Sequence, residues 1–315
     1  MSERTLQPGE MRYNEPMSRH VSWRAGGCAA RCYRPRDRAD LLAFVQTQSA
    51  GMALHVVGLG SNLLVRDGGL DATVVLTHGA LRQSELLQQD ATGAVLEVEA
   101  GVPAPKVARL AAHAGLAGAE FLAGIPGTLG GALAMNAGCY GDEIWNHVDS
   151  VTTLDRRGVI RVRTPQDYHI HYRHVQLKHP PQREEEGPRA LEPAPEWFLA
   201  ARLQFARGSS STALQRIRAL LAQRVATQPL NQPNAGSVFR NPPGDYAARL
   251  IEACGLKGAR EGEAEVSLKH ANFIINRGQA SARAIERLIE RVQQQVWAIH
   301  GVALVTEVRI VGELA

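Results

Sequence analysis

Aromatic side chains are sparse in this sequence, and its basic side chains are scattered. Phe, Trp and Tyr make up 5% of the 315 residues, and no basic run is interleaved with aromatics. Such interleaving is typical of surfaces that stack bases and follow phosphates, so we expect no nucleic-acid partner. The net charge is +4 at pH 7, with the arginines spread along the chain. This distribution favours small anionic ligands.

Cysteine is also scarce, which argues against a disulfide scaffold or a thiolate metal site. The four cysteines are Cys28, Cys32, Cys139 and Cys254, and no Cys or His pair at ligand spacing accompanies the first two. We therefore expect free thiols, no metal and a reducing, cytoplasmic location.

Long apolar runs are missing as well. The longest stretch without a charged residue covers residues 121–141, and its glycines, proline and asparagine do not suit a membrane span. The first twenty residues carry charges throughout, so we expect neither a signal peptide nor a membrane partner. The composition, 44% hydrophobic and 21% charged, is typical of a globular chain with two or three packed units.

Hydrophobic periodicity divides the chain into three predicted units, residues 1–78, 79–208 and 209–315. The first unit alternates strands with one helix and opens with a segment, residues 20–34, that we expect at a sheet edge. Asp37 is the predicted N-cap of its helix, and Gly51 is the predicted end.

The second and third units have their own turn and cap signals. A hairpin is predicted to turn at Arg157–Gly158, and the Pro/Glu-rich stretch 178–196 is predicted to be an exposed loop. In the third unit Ser281 suits the N-cap of a long amphipathic helix, and Gly301 suits its end. Alternating apolar residues predict a final strand over residues 302–312.

A first glycine-rich stretch, HVVGLGSNLLV, places a turn at residues 58–62 directly after a strand. Its glycines allow backbone N–H groups to converge on a phosphate, and Ser61 and Asn62 add donors. A Rossmann fingerprint is not indicated, because the third glycine is missing and residues 63–65 continue as strand. An ordinary glycine-containing turn is an equally open interpretation.

The second stretch, GIPGTLGGALAMNAGCYG at residues 124–141, contains six glycines. Almost bare backbone suits close contact with a flat ring or a pyrophosphate, although a loop packed against other backbone is the alternative. Ordering six glycines costs up to about a kcal/mol each relative to alanine, which favours a bound ligand. Together the two stretches suggest a large dinucleotide that spans two subdomains.

Ser237 is the polar candidate in the turn NAGSVFRNP. It could donate a proton or bind a phosphate, whereas a turn serine that bonds its own backbone is equally open. No G-x-S-x-G elbow surrounds it, so a hydrolase nucleophile is not indicated. Arg240 and Asn241 could hold an anionic or sugar ligand.

Two further polar pairs stand out. Glu307 and Arg309 share one face of the otherwise apolar final strand, where a solvated edge is the simpler interpretation. Tyr172 and Arg173 could hold a carboxylate or lie on the surface.

Seven motifs occur in an order and spacing that cover nearly the whole chain. They are W-R-x-G-G at 23–27, G-L-G-S-N-L-L-V at 58–65, G-I-P-G-T-L-G-G-A-x-x-M-N-A-G at 124–138, Y-R at 172–173, A-G-S-V-F-R-N-P at 235–242, K-H-A-N-F-I-I-N at 269–276 and E-V-R-I-V-G at 307–312. Together they resemble the UDP-N-acetylenolpyruvoylglucosamine reductase family, in its shorter type without a tyrosine-bearing loop insertion.

The resemblance implies an α+β fold. It consists of an FAD-binding domain of the vanillyl-alcohol-oxidase type, in subdomains 1–78 and 79–208, and a C-terminal substrate-binding domain, 209–315. The final strand would carry Glu307 back to the flavin.

The resemblance also implies the site residues. Non-covalent FAD would contact Gly58, Gly60, Ser61, Asn62, Gly124, Ile125, Pro126, Gly127, Thr128, Gly130, Gly131, Asn136, Ala137 and Gly138. The substrate would contact Tyr172, Arg224, Asn241, His270 and Arg309. The catalytic residues would be Arg173, Ser237 and Glu307.

The implied reaction uses NADPH to reduce the flavin, which then reduces the enolpyruvyl ether of UDP-N-acetylglucosamine to UDP-N-acetylmuramate for peptidoglycan synthesis. Arg173 and Glu307 resemble the pair that stabilises the enolate, and Ser237 resembles the proton donor. We expect a monomer with these small-molecule partners.

The sequence departs from the family at Val175, where a serine is usual, and at Cys28 and Ala30. Two other functions remain open. One is a related FAD oxidase of another alcohol or sugar, against which Ser237, Glu307 and the lack of a His/Cys pair for covalent flavin argue. The other is a non-catalytic nucleotide-binding protein, which would purify without flavin colour.

Overall fold

The computed structural model describes residues 6–49, 51–178 and 195–315. Its α-helices are α1 Arg38–Thr47, α2 Ala104–His113, α3 Leu129–Ala134, α4 Ser210–Thr227, α5 Ala247–Ala253 and α6 Ala282–His300. Its strands are β1 Glu10–Pro16, β2 Cys28–Arg34, β3 Leu54–Val57, β4 Leu63–Val65, β5 Leu70–Leu76, β6 Ser84–Gln89, β7 Gly93–Glu99, β8 Leu116–Ala117, β9 Gly138–Cys139, β10 Asp142–Glu143, β11 Val148–Asp155, β12 Ile160–Arg163, β13 Tyr168–His171, β14 His174–Leu177, β15 Glu196–Arg207, β16 Arg260–Glu261, β17 Ala264–Val266, β18 Ile274–Asn276 and β19 Arg309–Val311.

The N-terminal sheet has the order β1-β2-β5-β3, with β2 and β3 both parallel to β5. The prediction that residues 20–34 lie at an edge is wrong, because β1 pairs with the outer side of β2 and forms the edge itself. Sequence periodicity missed β1 because most of its residues are at least partly exposed.

Helix α1 begins as predicted, since the Asp37 carboxylate accepts a hydrogen bond from the Asp40 N–H at 2.9 Å. The predicted end at Gly51 is wrong, because the helix stops at Thr47. There the Thr47 hydroxyl and the Gln48 amide both donate to the Phe44 carbonyl, which satisfies the last turn before the glycine.

The central sheet runs β12-β11-β15-β7-β6, with β8 paired to the end of β15. The hairpin of β11 and β12 turns at Arg157–Gly158, as predicted. Helices α2 and α4 pack together on the same core, which includes Ile217 of α4 and Phe121 of a 3₁₀ turn, Glu120–Gly124. The predicted loop 178–196 lies almost entirely outside the described residues.

The C-terminal part packs α5 and α6 against the small sheet β16-β17-β18. Ser281 caps α6 as predicted, and Gly301 ends it with φ of 66°. Trp23 is fully buried in this same core, where its indole N–H donates to the Ile274 carbonyl at 2.7 Å. This contact joins the start of the chain to the C-terminal part.

Residues 302–312 do not form the long strand that their alternation predicts. Only β19, Arg309–Val311, is a strand, and it runs parallel to β4. Upstream, the Glu307 N–H donates to the Val238 carbonyl, whereas the Arg309 N–H donates to the Asn62 carbonyl. The segment changes its partner between these residues, so no continuous ladder forms, and Glu307 comes to lie where the two partners meet.

Within the described ranges, which omit residues 1–5, 50 and 179–194, no helix has both the length and the apolarity to cross a membrane.

Candidate active site

A cavity of about 580 Å³ lies between the two glycine-rich loops. A Cβ added to Gly58 would lie 2.3 Å from the Thr128 hydroxyl oxygen, and one added to Gly127 would lie 3.2 Å from the Ser61 hydroxyl oxygen. The loops therefore face each other closely. Gly58 and Gly60 of the first loop and Gly124 and Gly127 of the second are among the residues that line the cavity.

The turn that follows β3 is fixed by its surroundings. Gly60 has φ of 59°, and a Cβ there would lie 2.1 Å from the His20 carbonyl oxygen, so only glycine fits. The next residues, β4, pair with β19, which places Asn62 beside the C-terminal segment. Its side-chain amide donates to the Glu307 carbonyl at 3.1 Å.

Arg173 stands at the tip of the hairpin formed by β13 and β14 and has φ of 54°. Its Nε donates to the Glu307 carboxylate at 2.9 Å. Its Nη1 donates to the Asn136 carbonyl at 3.1 Å, and its Nη2 donates to the Gly138 carbonyl at 2.6 Å. All three guanidinium nitrogens are therefore held, and the group lies at the cavity wall.

Glu307 faces Arg173 with its side chain only 17% exposed. Burial raises the pKa of the Glu307 carboxyl above its usual value, and the positive charges of Arg173 and Arg240 offset this shift only in part. The carboxyl is thus more readily protonated than a surface glutamate. The positive charges of Arg173 and Arg240 act in the other direction and favour the ionised form of Glu307.

Ser237 also lines the cavity, in the turn that precedes Val238. Its hydroxyl has no hydrogen-bond partner within residues 6–49, 51–178 and 195–315. The sequence left open a turn serine bonded to its own backbone. The free hydroxyl instead favours one that is available to a ligand.

Arg224 lies near the C-terminal end of α4 and also lines the cavity. Its Nε donates to the Gln228 side chain at 2.9 Å, and it forms no ion pair with any described residue. Burial lowers the pKa of its guanidinium. A partly buried cation without a carboxylate partner among the described residues gains from a nearby anion, which favours an anionic ligand in the cavity.

The structure brings together most of the residues predicted from the sequence. Those that line the cavity are Gly58, Gly60, Ser61, Asn62, Gly124, Ile125, Pro126, Gly127, Thr128, Gly131, Ala137, Gly138, Arg173, Arg224, Ser237, Glu307 and Arg309. Their individual roles stay predictions.

Two predicted cofactor residues lie behind the cavity wall. Gly130 packs against Ala100, whose Cβ would be 2.9 Å from an added Cβ. Asn136 is 1% exposed, and its side chain bonds Glu143, His171 and Trp145. Only backbone atoms of these two residues remain for a cofactor contact.

Three predicted substrate residues also lie outside the cavity lining. Tyr172 is 45% exposed beneath the Arg173 guanidinium. The Asn241 side chain accepts a hydrogen bond from the Ala247 N–H at the start of α5. The His270 ring packs edge-on against Phe273, and burial lowers the pKa of its imidazole.

Sequence reasoning missed Gln228, Phe273 and Cys139 in the lining. Gln228 lies four residues after Arg224, and the helical spacing that pairs them was available from the sequence. Phe273 and Cys139 gave no comparable signal. Burial raises the pKa of the Cys139 thiol to about 11, so it is a neutral wall residue.

Comparison with known proteins agrees with this geometry. The family model described as "UDP-N-acetylenolpyruvoylglucosamine reductase, C-terminal domain" matches residues 228–311, and the model of an FAD binding domain matches residues 29–163. The UDP-N-acetylenolpyruvoylglucosamine reductase of Thiobacillus denitrificans is 54% identical over 314 residues, covering 97% of this chain and 93% of that protein. The chain belongs to this reductase family.

Two further members support the assignment to the reductase family. The enzyme of Alkalilimnicola ehrlichii is 53% identical and covers 99% of this chain and 98% of its own length. The crystal structure of the Thermus caldophilus reductase matches with a TM-score of 0.75 at 31% identity, over 96% of this chain and 98% of that one. The protein is therefore an FAD-dependent oxidoreductase, and the predicted α+β fold, an FAD-binding domain followed by a C-terminal domain, is confirmed.

The cavity fits a flavin dinucleotide by the chemistry of its wall. The Thr128 hydroxyl is buried and finds no hydrogen-bond partner in the described part of the chain, and it faces the space that a Cβ on Gly58 would fill. A ligand that supplies acceptors along both loops would satisfy this donor. The Ser61 hydroxyl and backbone N–H groups of the same loops are further donors suited to a pyrophosphate.

Proposed function

We propose that this chain reduces UDP-N-acetylglucosamine enolpyruvate to UDP-N-acetylmuramate in the synthesis of peptidoglycan precursors, with NADPH as the hydride donor. The names of its relatives support the substrate class. The observation that carries the proposal is the partly buried Arg173–Glu307 pair, which shares one cavity with the hydroxyl of Ser237. A protein that only stored a nucleotide would not need these groups.

Residues 58–62 and 124–128 would hold FAD between them, and Arg224 would compensate negative charge on the nucleotide substrate. Bound FAD supplies the chemistry of hydride transfer, from NADPH to the terminal alkene carbon of the enolpyruvyl group. This chain must then stabilise charge and deliver a proton.

Arg173 and Glu307 act on the charge that develops at the neighbouring carbon and spreads into the substrate carboxylate. The Arg173 guanidinium supplies positive charge that is already oriented by its three hydrogen bonds, so it loses little energy in reorganising during the reaction. Glu307 contributes in its protonated form, as a hydrogen-bond donor, and its raised pKa favours that form.

Ser237 delivers the proton that completes the reduction. The alkene gains one hydride and one proton, NADPH leaves as NADP⁺, and the serine regains its proton from water. A serine hydroxyl is a weak acid, so this step requires a strongly basic carbanion next to it. Because no described residue bonds the Ser237 hydroxyl, it can turn toward that carbon.

The two half-reactions can be separated under anaerobic conditions. NADPH should bleach the flavin absorption of the purified protein, and UDP-N-acetylglucosamine enolpyruvate should then restore it. A flavin that bleaches but does not return would remove the substrate assignment and favour a related oxidase of another alcohol or sugar.

Ser237→Ala tests the role of the hydroxyl. We expect bleaching by NADPH at nearly the wild-type rate and recovery slowed at least about a hundredfold, because general-acid catalysis typically contributes 10²–10⁴-fold. Equal loss of both half-reactions would show a structural role instead. A cytoplasmic location and a monomeric state stay predictions.

A further inference from the structure

We propose that Glu143 is a positioning residue for Arg173 and acts on it through Asn136. The inference rests on the proposed function, because it concerns the group that stabilises charge in the second half-reaction. Glu143 does not line the cavity, and neither does Asn136. Their contribution would be to fix where the Arg173 guanidinium lies.

Asn136 is held in one orientation by three hydrogen bonds. Its side-chain nitrogen donates to the Glu143 carboxylate at 2.7 Å and to the His171 carbonyl at 3.2 Å, which uses both of its hydrogens. Its side-chain oxygen accepts a hydrogen bond from the backbone N–H of Trp145 at 3.4 Å. Because a carboxylate can only accept, Glu143 determines which end of the amide faces the hairpin.

The same residue supports Arg173 from two sides. The Asn136 backbone carbonyl accepts from Arg173 Nη1, while its side chain holds His171 at the last position of β13, two residues before Arg173. Asn136 has φ of 41°, a left-handed conformation that its surroundings must maintain. The side-chain hydrogen bonds contribute to maintaining it, together with the bond from the Asn136 backbone N–H to the Leu133 carbonyl.

The second carbonyl that Arg173 uses lies in the same short segment, where the backbone of Glu143 supports it. Glu143 pairs with Gly138 in the two-stranded ladder of β9 and β10, and the Gly138 carbonyl accepts from Arg173 Nη2. Both carbonyls under the guanidinium therefore depend on this short segment. With both fixed, the remaining Nε is directed at the Glu307 carboxylate.

Removal of the Glu143 carboxylate would leave a buried amide N–H without an acceptor. Asn136 is 1% exposed, so its N–H, left without the carboxylate, carries a desolvation cost unless water enters the space of the removed side chain. We expect the segment to relax and the Arg173 guanidinium to move from Glu307. Glu143→Gln keeps an acceptor oxygen at the same place and is the conservative variant.

The experiment compares Glu143→Ala with Glu143→Gln in the FAD-loaded protein. For Glu143→Ala we expect flavin recovery with the enolpyruvyl substrate slowed about tenfold or more and bleaching by NADPH within about twofold of wild type, whereas Glu143→Gln should retain most of the recovery rate. Glu120→Ala is the matched control. It removes a carboxylate that is more buried than that of Glu143 and accepts a backbone N–H at 2.8 Å, and no contact between it and the hairpin occurs among the described residues.

A double-mutant cycle with Arg173→Lys separates positioning from general damage. If Glu143 acts through Arg173, Glu143→Ala should slow recovery little further in the Arg173→Lys background. Additive losses, or equal slowing by Glu120→Ala, would overturn the inference.

A crystal structure of Glu143→Ala tests whether Glu143 positions the Arg173 guanidinium, and it does so without the substrate. Displacement of the Arg173 guanidinium from Glu307 supports the inference, and an unchanged pair at 2.9 Å overturns it. Failure of the wild-type protein to recover its flavin colour would refute the proposed function alone.

Discussion

The close approach of Gly58 to Thr128 gives a direct test of the cofactor cavity. Gly58→Ala adds a Cβ whose ideal position is 2.3 Å from the Thr128 hydroxyl oxygen and 3.1 Å from its methyl carbon. Thr128 is 1% exposed and precedes α3, so it has little room to move. The two loops must therefore separate.

The size of the effect follows from this overlap. Overpacking by one methyl group typically costs about 1–3 kcal/mol. The free protein can relieve the overlap by widening the cavity, but FAD that contacts both loops brings them back together. The cost then appears in the affinity, and about 1–3 kcal/mol corresponds to a dissociation constant raised about fivefold to 150-fold.

The assay is a titration of flavin-free protein with FAD, followed by flavin absorbance and fluorescence. Gly130→Ala is the control, because its Cβ would meet Ala100 at 2.9 Å, outside the cavity lining. It should lower the melting temperature but change FAD affinity only a few-fold. Adding Thr128→Ala to Gly58→Ala should bring the affinity back to that of Thr128→Ala alone. An unchanged affinity in Gly58→Ala would refute the assignment of these loops to FAD.

Two further predictions concern pH dependence and domain packing. Burial raises the pKa of Glu307, so its protonated form is lost only as pH rises through that raised value. Flavin recovery should therefore slow on the alkaline side, and Glu307→Gln should remove this limb; an unchanged limb would assign it to another group. Asp67 accepts hydrogen bonds from the N–H groups of Ala282 and Arg283, at 2.9 and 2.8 Å, and so caps α6 from the FAD-binding part. Asp67→Ala should lower the free energy of unfolding by about 1–2 kcal/mol in urea denaturation, with Asp67→Asn losing less, and equal stability would contradict the capping role.

Local signals in the sequence were sufficient wherever one element decided the outcome. Asp37 and Ser281 cap their helices because the cap needs only the following turn. The glycine-rich loops and the hairpin at Arg157–Gly158 could be predicted for the same reason. The catalytic candidates came from the family resemblance, because no spacing rule relates residues 173, 237 and 307.

Only the tertiary structure decided which strands are edges and which polar residues meet. Strand β2 is interior because β1 pairs with it, and β1 has no clear apolar alternation that would predict a strand. Residues 302–312 alternate like a strand yet form no continuous one, because Glu307 bonds the Val238 carbonyl whereas Arg309 bonds the Asn62 carbonyl.

The pairing of Arg173 with Glu307, across 134 positions of the chain, arises only when the hairpin tip and the C-terminal segment reach one cavity. Burial there, which no single segment encodes, raises the pKa of Glu307. The sequence by itself determined the two glycine-rich loops, the helix caps at Asp37 and Ser281, and the family of this protein. Packing between distant segments determined the site's electrostatics, because desolvation and charge pairing depend on which surfaces come together.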